Sequence, residues 1–228
     1  MSLQSTLQQG TLAKLLQETL ADSVARFPPE ALEVMRAADE ELKERKVGEN
    51  ALKAGDSLPD ASLIDATGKS VSLSSLNEAG PLIITFYRGG WCPYCNLELK
   101  AYQEILGEIT DLGGQLIAIS PEKPDNSLTT IEKNALTFSV LTDTGNQLAK
   151  AVGIAFELPA GLQQLFTNFG MNLDELNADT GWALPVPATF VVDGNGRIIL
   201  ADVDIEYTRR LEPSEALAAL KSSVTTSA

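Results

Sequence analysis

Leucines recur along the first 24 residues at helical spacing. Leu3, Leu7, Leu12, Leu15, Leu16, Leu20 and Val24 fall near one face of a 3.6-residue repeat, which predicts a helix. Pro28 and Pro29 break the pattern, and Pro29 is placed to open a second helix, where its missing N–H is harmless. Leu32, Met35 and Leu42 give that second helix an apolar edge among many charges. Two such helices cannot bury both faces alone. Residues 1–47 are therefore expected to form an N-terminal helical extension that packs on the rest of the chain or on a second subunit. Residues 48–60 (GENALKAGDSLPD) mix Gly, Asp and Pro and predict a linker.

Beyond residue 60 the period changes. Residues 61–65 and 70–73 flank an Ala-Thr-Gly turn and predict a short hairpin. Residues 82–87 (LIITFY) and 115–119 (QLIAI) are continuous apolar runs suited to buried central strands. Between them, a helix is expected from about residue 95 to 112, stopped by Gly113 and Gly114. Residues 128–136 look helical, 138–141 extended and 146–152 helical. Residues 188–192 (ATFVV) form another strand, turned by Asp193-Gly-Asn-Gly196 into an antiparallel return over 198–203. A last helix follows over 213–224, and residues 158–187 read as a long insertion with a short helix at 162–169. This order argues for an α/β domain over residues 48–228 with a mixed central sheet flanked by helices.

Composition narrows the chemistry. The 228 residues include no histidine and two cysteines. That excludes a Ser-His-Asp triad, a Cys-His pair and any imidazole metal site, and allows at most one intrachain disulfide. The formal charge of −14 opposes nucleic acid and anionic membrane surfaces as partners. The densest basic cluster, Lys43, Arg45 and Lys46, is interleaved with Glu41, Glu44 and Glu49 and reads as a solvated helix end. No stretch approaches the roughly 20 apolar residues of a membrane span, and the start lacks the pattern of a secretory signal. A cytoplasmic protein without cofactor or metal is the expectation.

The chemistry sits in Trp91-Cys92-Pro93-Tyr94-Cys95, just after an apolar strand and at a helix start. Cysteines two residues apart in a first helical turn can approach closely enough to bridge. The free N–H groups and positive dipole end of the helix favour a thiolate, so Cys92, expected to be exposed, should have a lowered pKa. Pro93 suits the first turn, and Arg88 is the only charge in the preceding loop. Cys92 is the expected attacking thiolate and Cys95, one turn deeper, the resolving thiol. Zinc would find only half a site here, a purely structural disulfide would close too short a loop to stabilise much, and inert core cysteines rarely take this spacing.

The segment 86–95 (FYRGGWCPYC), followed by Glu98-Leu99, resembles the active-site segment of peroxiredoxin-like proteins of the alkyl hydroperoxide reductase and thiol-specific antioxidant group. Residues 55–60 (GDSLPD) and 68–73 (GKSVSL) resemble that group's opening hairpin, and 186–193 (VPATFVVD) its late strand. The resemblance spans about residues 55 to 222. It implies a thioredoxin-like fold and a peroxidatic Cys92 that hydroperoxide oxidises to a sulfenic acid. Cys95 would condense with it, and a thioredoxin- or glutathione-type thiol donor would regenerate the pair.

The chain departs from that group's pattern in two places. Gly89 stands where the group usually has Thr or Ser, and Pro187 stands near the place of its usual Arg. Val186-Pro187 also fits the cis-proline that faces the cysteines of thioredoxin-like disulfide oxidoreductases, and CPYC itself resembles glutaredoxin. CxxC proteins of these kinds span about −120 to −270 mV, so the tetrad alone does not assign a direction. A disulfide reductase and a redox-sensing module whose N-terminal helices bind a partner therefore stay open as alternatives, and a homodimer through those helices is a further expectation. Trp91 is placed to report on or pack against the redox centre, Tyr94 lies within it, and Gly89 and Gly90 allow close backbone approach around Cys92. Trp182, in the insertion near Leu184-Pro185, is expected either to shape a pocket or to pack the loop.

Overall fold

The computed structural model describes residues 11–226; Leu3 and Leu7 of the expected first apolar face lie outside the described residues. Helix α1 runs Thr11–Arg26 and buries Leu12 and Leu16. Pro28 ends the connection, and α2 runs Pro29–Glu44, burying Ala31, Ala38 and Leu42. Both helices pack on the rest of this chain, α1 against α4 and α2 against α7 as those are defined below.

The expected linker is held to the core by backbone pairing. Leu52 N–H donates to the Val152 carbonyl, Gly55 N–H to that of Ile198, and Leu58 N–H to that of Gly196. Strands β1 (Ser62–Asp65) and β2 (Ser70–Ser72) form the expected hairpin. A short helix, α3 (Leu73–Glu78), follows at once and was not expected. Ser72 caps it by accepting the Ser75 N–H.

The core alternation is β3 (Leu82–Phe86), α4 (Pro93–Asp111), β4 (Gln115–Ser120), α5 (Pro124–Asn134) and β5 (Ser139–Thr142). Helix α6 (Gln147–Ala151) leads to β6 (Ala155–Glu157), α7 (Ala160–Asn168) and α8 (Leu173–Leu176). Strands β7 (Ala183–Pro185), β8 (Ala188–Val192) and β9 (Ile198–Val203) precede α9 (Pro213–Thr226). The insertion thus holds two helices and β7, which pairs with β6 just before it, instead of one short helix.

The main sheet is seven-stranded, in the order β2-β1-β5-β4-β3-β8-β9. Strands β3, β4 and β5 are parallel, and β1, β8 and β9 join antiparallel. The period-two alternation of each central strand feeds two apolar layers. Ile83, Leu116, Ala118 and Val191 face the layer with α1, α4 and α9. Leu82, Ile84, Phe86, Ile117, Ile119 and Phe190 face the other, with α6 and the hairpin. The α/β architecture with a mixed, helix-flanked sheet is the one expected. The loop from β3 to α4 leaves the carboxyl end of a central parallel strand, where open α/β sheets place their sites.

One backbone expectation is corrected. The described residues contain no cis peptide bond, so Val186–Pro187 is trans. Pro187 joins β7 to β8 along an extended path, and Val186 donates its N–H to the Ile154 carbonyl while its side chain packs in the layer away from the cysteines.

Candidate active site

Helix α4 starts two residues earlier than the sequence suggested. Cys92 is its N-cap, with extended φ/ψ of −84° and 115°, and Pro93 occupies the first helical position. Cys95 is then the third helical residue. Both cysteines are free thiols.

The expected exposure of Cys92 is wrong: Cys92 and Cys95 are each 0% exposed. Leu12 and Leu16 of α1 lie in the same apolar cluster as the two sulfurs, and the Tyr94 hydroxyl reaches Ser23 Oγ of α1 at 3.5 Å. From the opposite end of the chain, Tyr207 stacks edge-on against Tyr94 with ring centres 5.6 Å apart. Trp91 packs edge-on against Phe166 of α7 at 5.6 Å. The N-terminal extension, the insertion and the segment after β9 therefore roof the site together.

Arg88 lies beneath that roof. Its guanidinium sits 5.1 Å over the Trp91 ring and 4.2 Å over the Tyr207 ring, a cation–π sandwich, and its Nη2 donates to Cys92 Sγ at 3.4 Å. Burial by itself would push the Cys92 thiol up. The hydrogen bond from the Cys95 thiol and the charges of Arg88 and Arg210 outweigh it, and Cys92 lies well below the ordinary thiol value. Cys95 moves the other way, pushed well up by burial, by its hydrogen bond to Cys92 and by the Cys92 charge. The two acidities are thus driven apart, Cys92 toward the thiolate and Cys95 toward the thiol.

The loop carrying Cys92 is held from three directions. Glu122 accepts the Gly90 N–H at 2.8 Å. Asn96 Nδ2 donates to the Gly90 and Cys92 carbonyls at 2.8 and 3.0 Å, and Asn134 Nδ2 donates to Asn96 Oδ1 at 2.7 Å. The two glycines are required. A Cβ on Gly89, which has φ +152°, would stand 2.4 Å from Trp91 Nε1 and 2.8 Å from Glu122 Oε1. A Cβ on Gly90 would stand 2.1 Å from Thr130 Oγ1. Glu122 and Trp91 thus occupy the room that a residue-89 side chain would need. Burial pushes Glu122 up to about 7, the Gly90 N–H opposing and the Cys92 charge reinforcing it.

Of the residues singled out in the sequence, Cys92, Cys95, Arg88, Gly89, Trp91, Pro93 and Tyr94 come together. Val186 does not, since it packs in the layer away from them. Trp182 packs with Leu158, Leu162 and Phe166 in a third apolar cluster under the roof. Sequence reasoning assigned no role to Glu98, Glu122, Tyr207 or Arg210. Glu98 left a trace, since a carboxylate three residues after Cys95 falls on the buried face of α4. Arg210 left none, being 115 positions from Cys95.

A strand–loop–helix dithiol with one activated sulfur, on a mixed sheet, defines a thiol-redox protein of thioredoxin-like fold. The AhpC/TSA family model matches residues 54–201, and the chain belongs to that family. A putative peroxiredoxin of Mycobacterium tuberculosis is 29% identical over 157 residues, which is 69% of this chain and 88% of that protein. Peroxiredoxin Bcp of Escherichia coli K12 is 30% identical over 105 residues, 46% of this chain and 67% of that one. Among solved structures, peroxidoxin BcpB of M. tuberculosis superposes with a TM-score of 0.59 at 21% identity, covering 75% of this chain and 97% of that one. Xanthomonas campestris peroxiredoxin Q does so at 0.56 and 18%, covering 72% and 91%.

Proposed function

We propose that this chain reduces hydroperoxides, with Cys92 as the peroxidatic and Cys95 as the resolving residue. Family membership supports a thiol peroxidase, and the observation that carries the residue roles is the Arg88 guanidinium 3.4 Å from Cys92 Sγ. The Cys92 thiolate attacks the outer peroxide oxygen, the O–O bond breaks, and the departing alkoxide or hydroxide takes a proton. Cys92 becomes a sulfenic acid. Cys95 displaces its hydroxyl as water and forms the intrachain disulfide. An external dithiol of the thioredoxin type, or two glutathione-type thiols, returns two electrons by exchange. A reducing compartment such as the cytoplasm suits that last step. Residues 48–228 supply this chemistry in our reading, and α1 of the N-terminal extension contributes to its cover. The homodimer expected through the N-terminal helices belongs to the same reading, because Leu20 and Val24 stay exposed on α1.

The disulfide-reductase alternative loses the feature that favoured it, since the Val186–Pro187 bond is trans. Stopped-flow tryptophan fluorescence with hydrogen peroxide tests the proposal. A rapid change should be present in the wild type, absent in Cys92→Ser, and retained without its second phase in Cys95→Ser. Retention of the rapid phase by Cys92→Ser would invert the roles.

A further inference from the structure

Two buried guanidinium groups flank the dithiol, one on each sulfur. Arg88 Nη2 lies 3.4 Å from Cys92 Sγ, and Arg210 Nη2 lies 3.4 Å from Cys95 Sγ. Arg210 comes from the segment between β9 and α9. Its Nε donates to Glu98 Oε2 at 2.7 Å, and its Nη1 to the Tyr207 and Arg209 carbonyls. The side chains of Arg210 and Glu98 are 2% and 1% exposed. An ion pair so deep is weak grounds for stability, because desolvation offsets its attraction. What sets this pair apart is where it puts the third nitrogen of the guanidinium, on a sulfur.

The groups facing Cys95 are Arg210, Arg88, Cys92 and the Tyr87 hydroxyl. While Cys92 is a thiolate, burial, the hydrogen bond to Cys92 and the Cys92 charge push the Cys95 thiol up. Oxidation of Cys92 to a neutral sulfenic acid removes that charge and leaves both guanidinium groups in place. Arg210 is then the cation in direct contact with the thiol that must attack.

We propose that Arg210, tethered by Glu98, is a positioning residue for the resolving step: it holds the Cys95 sulfur and makes it the attacking thiolate once Cys92 has been oxidised. The inference rests on the peroxidase reading above. Cys95 sulfur forms a bond to Cys92 sulfur as the bond from that sulfur to the hydroxyl breaks. The proton lost by Cys95 and the departing hydroxide make water, so the step needs no further oxidant or reductant. Arg88 touches the first sulfur and Arg210 the second, and the second thiolate forms only after the first is consumed.

The test compares wild type with Arg210→Lys, Arg210→Met and Glu98→Gln/Arg210→Met. The double variant removes both charges and so avoids stranding a buried carboxylate where Arg210→Met fails to fold. In stopped flow the peroxide-dependent phase should slow less than the second phase, because Arg210 acts on Cys92 through its charge alone while Arg88 touches that sulfur. The peroxide-independent phase should slow by about tenfold or more in the variants lacking a cation, with partial rescue by Lys. A dimedone-trapped sulfenic acid on Cys92 should accumulate in step. A second measurement uses no peroxide: in Cys92→Ser, whose neutral oxygen removes the Cys92 charge and leaves the two arginines in place, iodoacetamide labels Cys95 at pH 7. Adding Glu98→Gln/Arg210→Met should slow that labelling about tenfold. Equal slowing of both kinetic phases, or unchanged labelling, overturns the assignment. Absence of any peroxide-dependent phase in wild type defeats the peroxidase reading instead, and the labelling still decides the role of Arg210.

Discussion

Cys92 and Cys95 are chemically alike and three positions apart, yet their surroundings drive their acidities in opposite directions. Only part of that asymmetry is local. The helix terminus and Arg88 are within four residues of Cys92 and were legible in the motif; Glu122 and Arg210 arrive from other segments and were not. Glu122 yields a prediction about pH. Its folded value of about 7 stands above the ordinary 4.5. The folded state therefore holds a proton that the unfolded chain gives up between those values. Its contribution to stability is fully present below pH 4.5 and is lost as pH rises to 7, by about 3 kcal/mol at most. Urea midpoints at pH 4.5 and 7.5 should fall further in wild type than in Glu122→Gln. Parallel falls in the two proteins would show that Glu122 ionises normally.

Among the elements, α1 has the most unusual support. Its first N–H groups point at a side chain near the other end of the chain: Glu212 Oε1 accepts the Ala13 N–H at 2.8 Å and Oε2 the Leu12 N–H at 3.4 Å. This is N-capping supplied from outside the helix, and loss of a cap typically costs about 1 kcal/mol. Glu212→Ala should loosen α1 by that amount and raise iodoacetamide labelling of Cys92 about fivefold with little change in the global melt. An unchanged rate would mean that α1 does not gate the thiols. Helical and strand periodicity revealed most elements, because burial on one face imposes it. Helix α3 and the β6–β7 pair escaped because they are six and three residues long, too short to show a period.

Charge acts on the molecule as a whole. At −14, with ion pairs such as Lys14–Glu18 and Arg26–Asp22 on exposed helix faces, self-repulsion is long-range and weakly compensated. Raising salt from about 10 mM to about 300 mM shortens the screening length from about 30 Å to below 10 Å. The melting temperature should rise by several degrees over that range, and a fall would indicate that specific ion pairs outweigh the repulsion. The buried Arg210–Glu98 pair sits beyond the reach of that screening, so second-phase resolution kinetics should respond far less than the melting temperature.

The sequence by itself determined the α/β class, the position of the dithiol and the identity of its nearest cation, because strand burial, helix starts and the CPYC spacing are local properties that adjacent residues encode. Tertiary structure alone decided that the thiols are covered, that the Val186–Pro187 bond is trans, and that Arg210 and Glu122 stand beside the thiols. Those outcomes depend on which distant segments share one low-dielectric pocket, where a single buried charge shifts a neighbouring acidity strongly, and no period or spacing in the chain records that proximity.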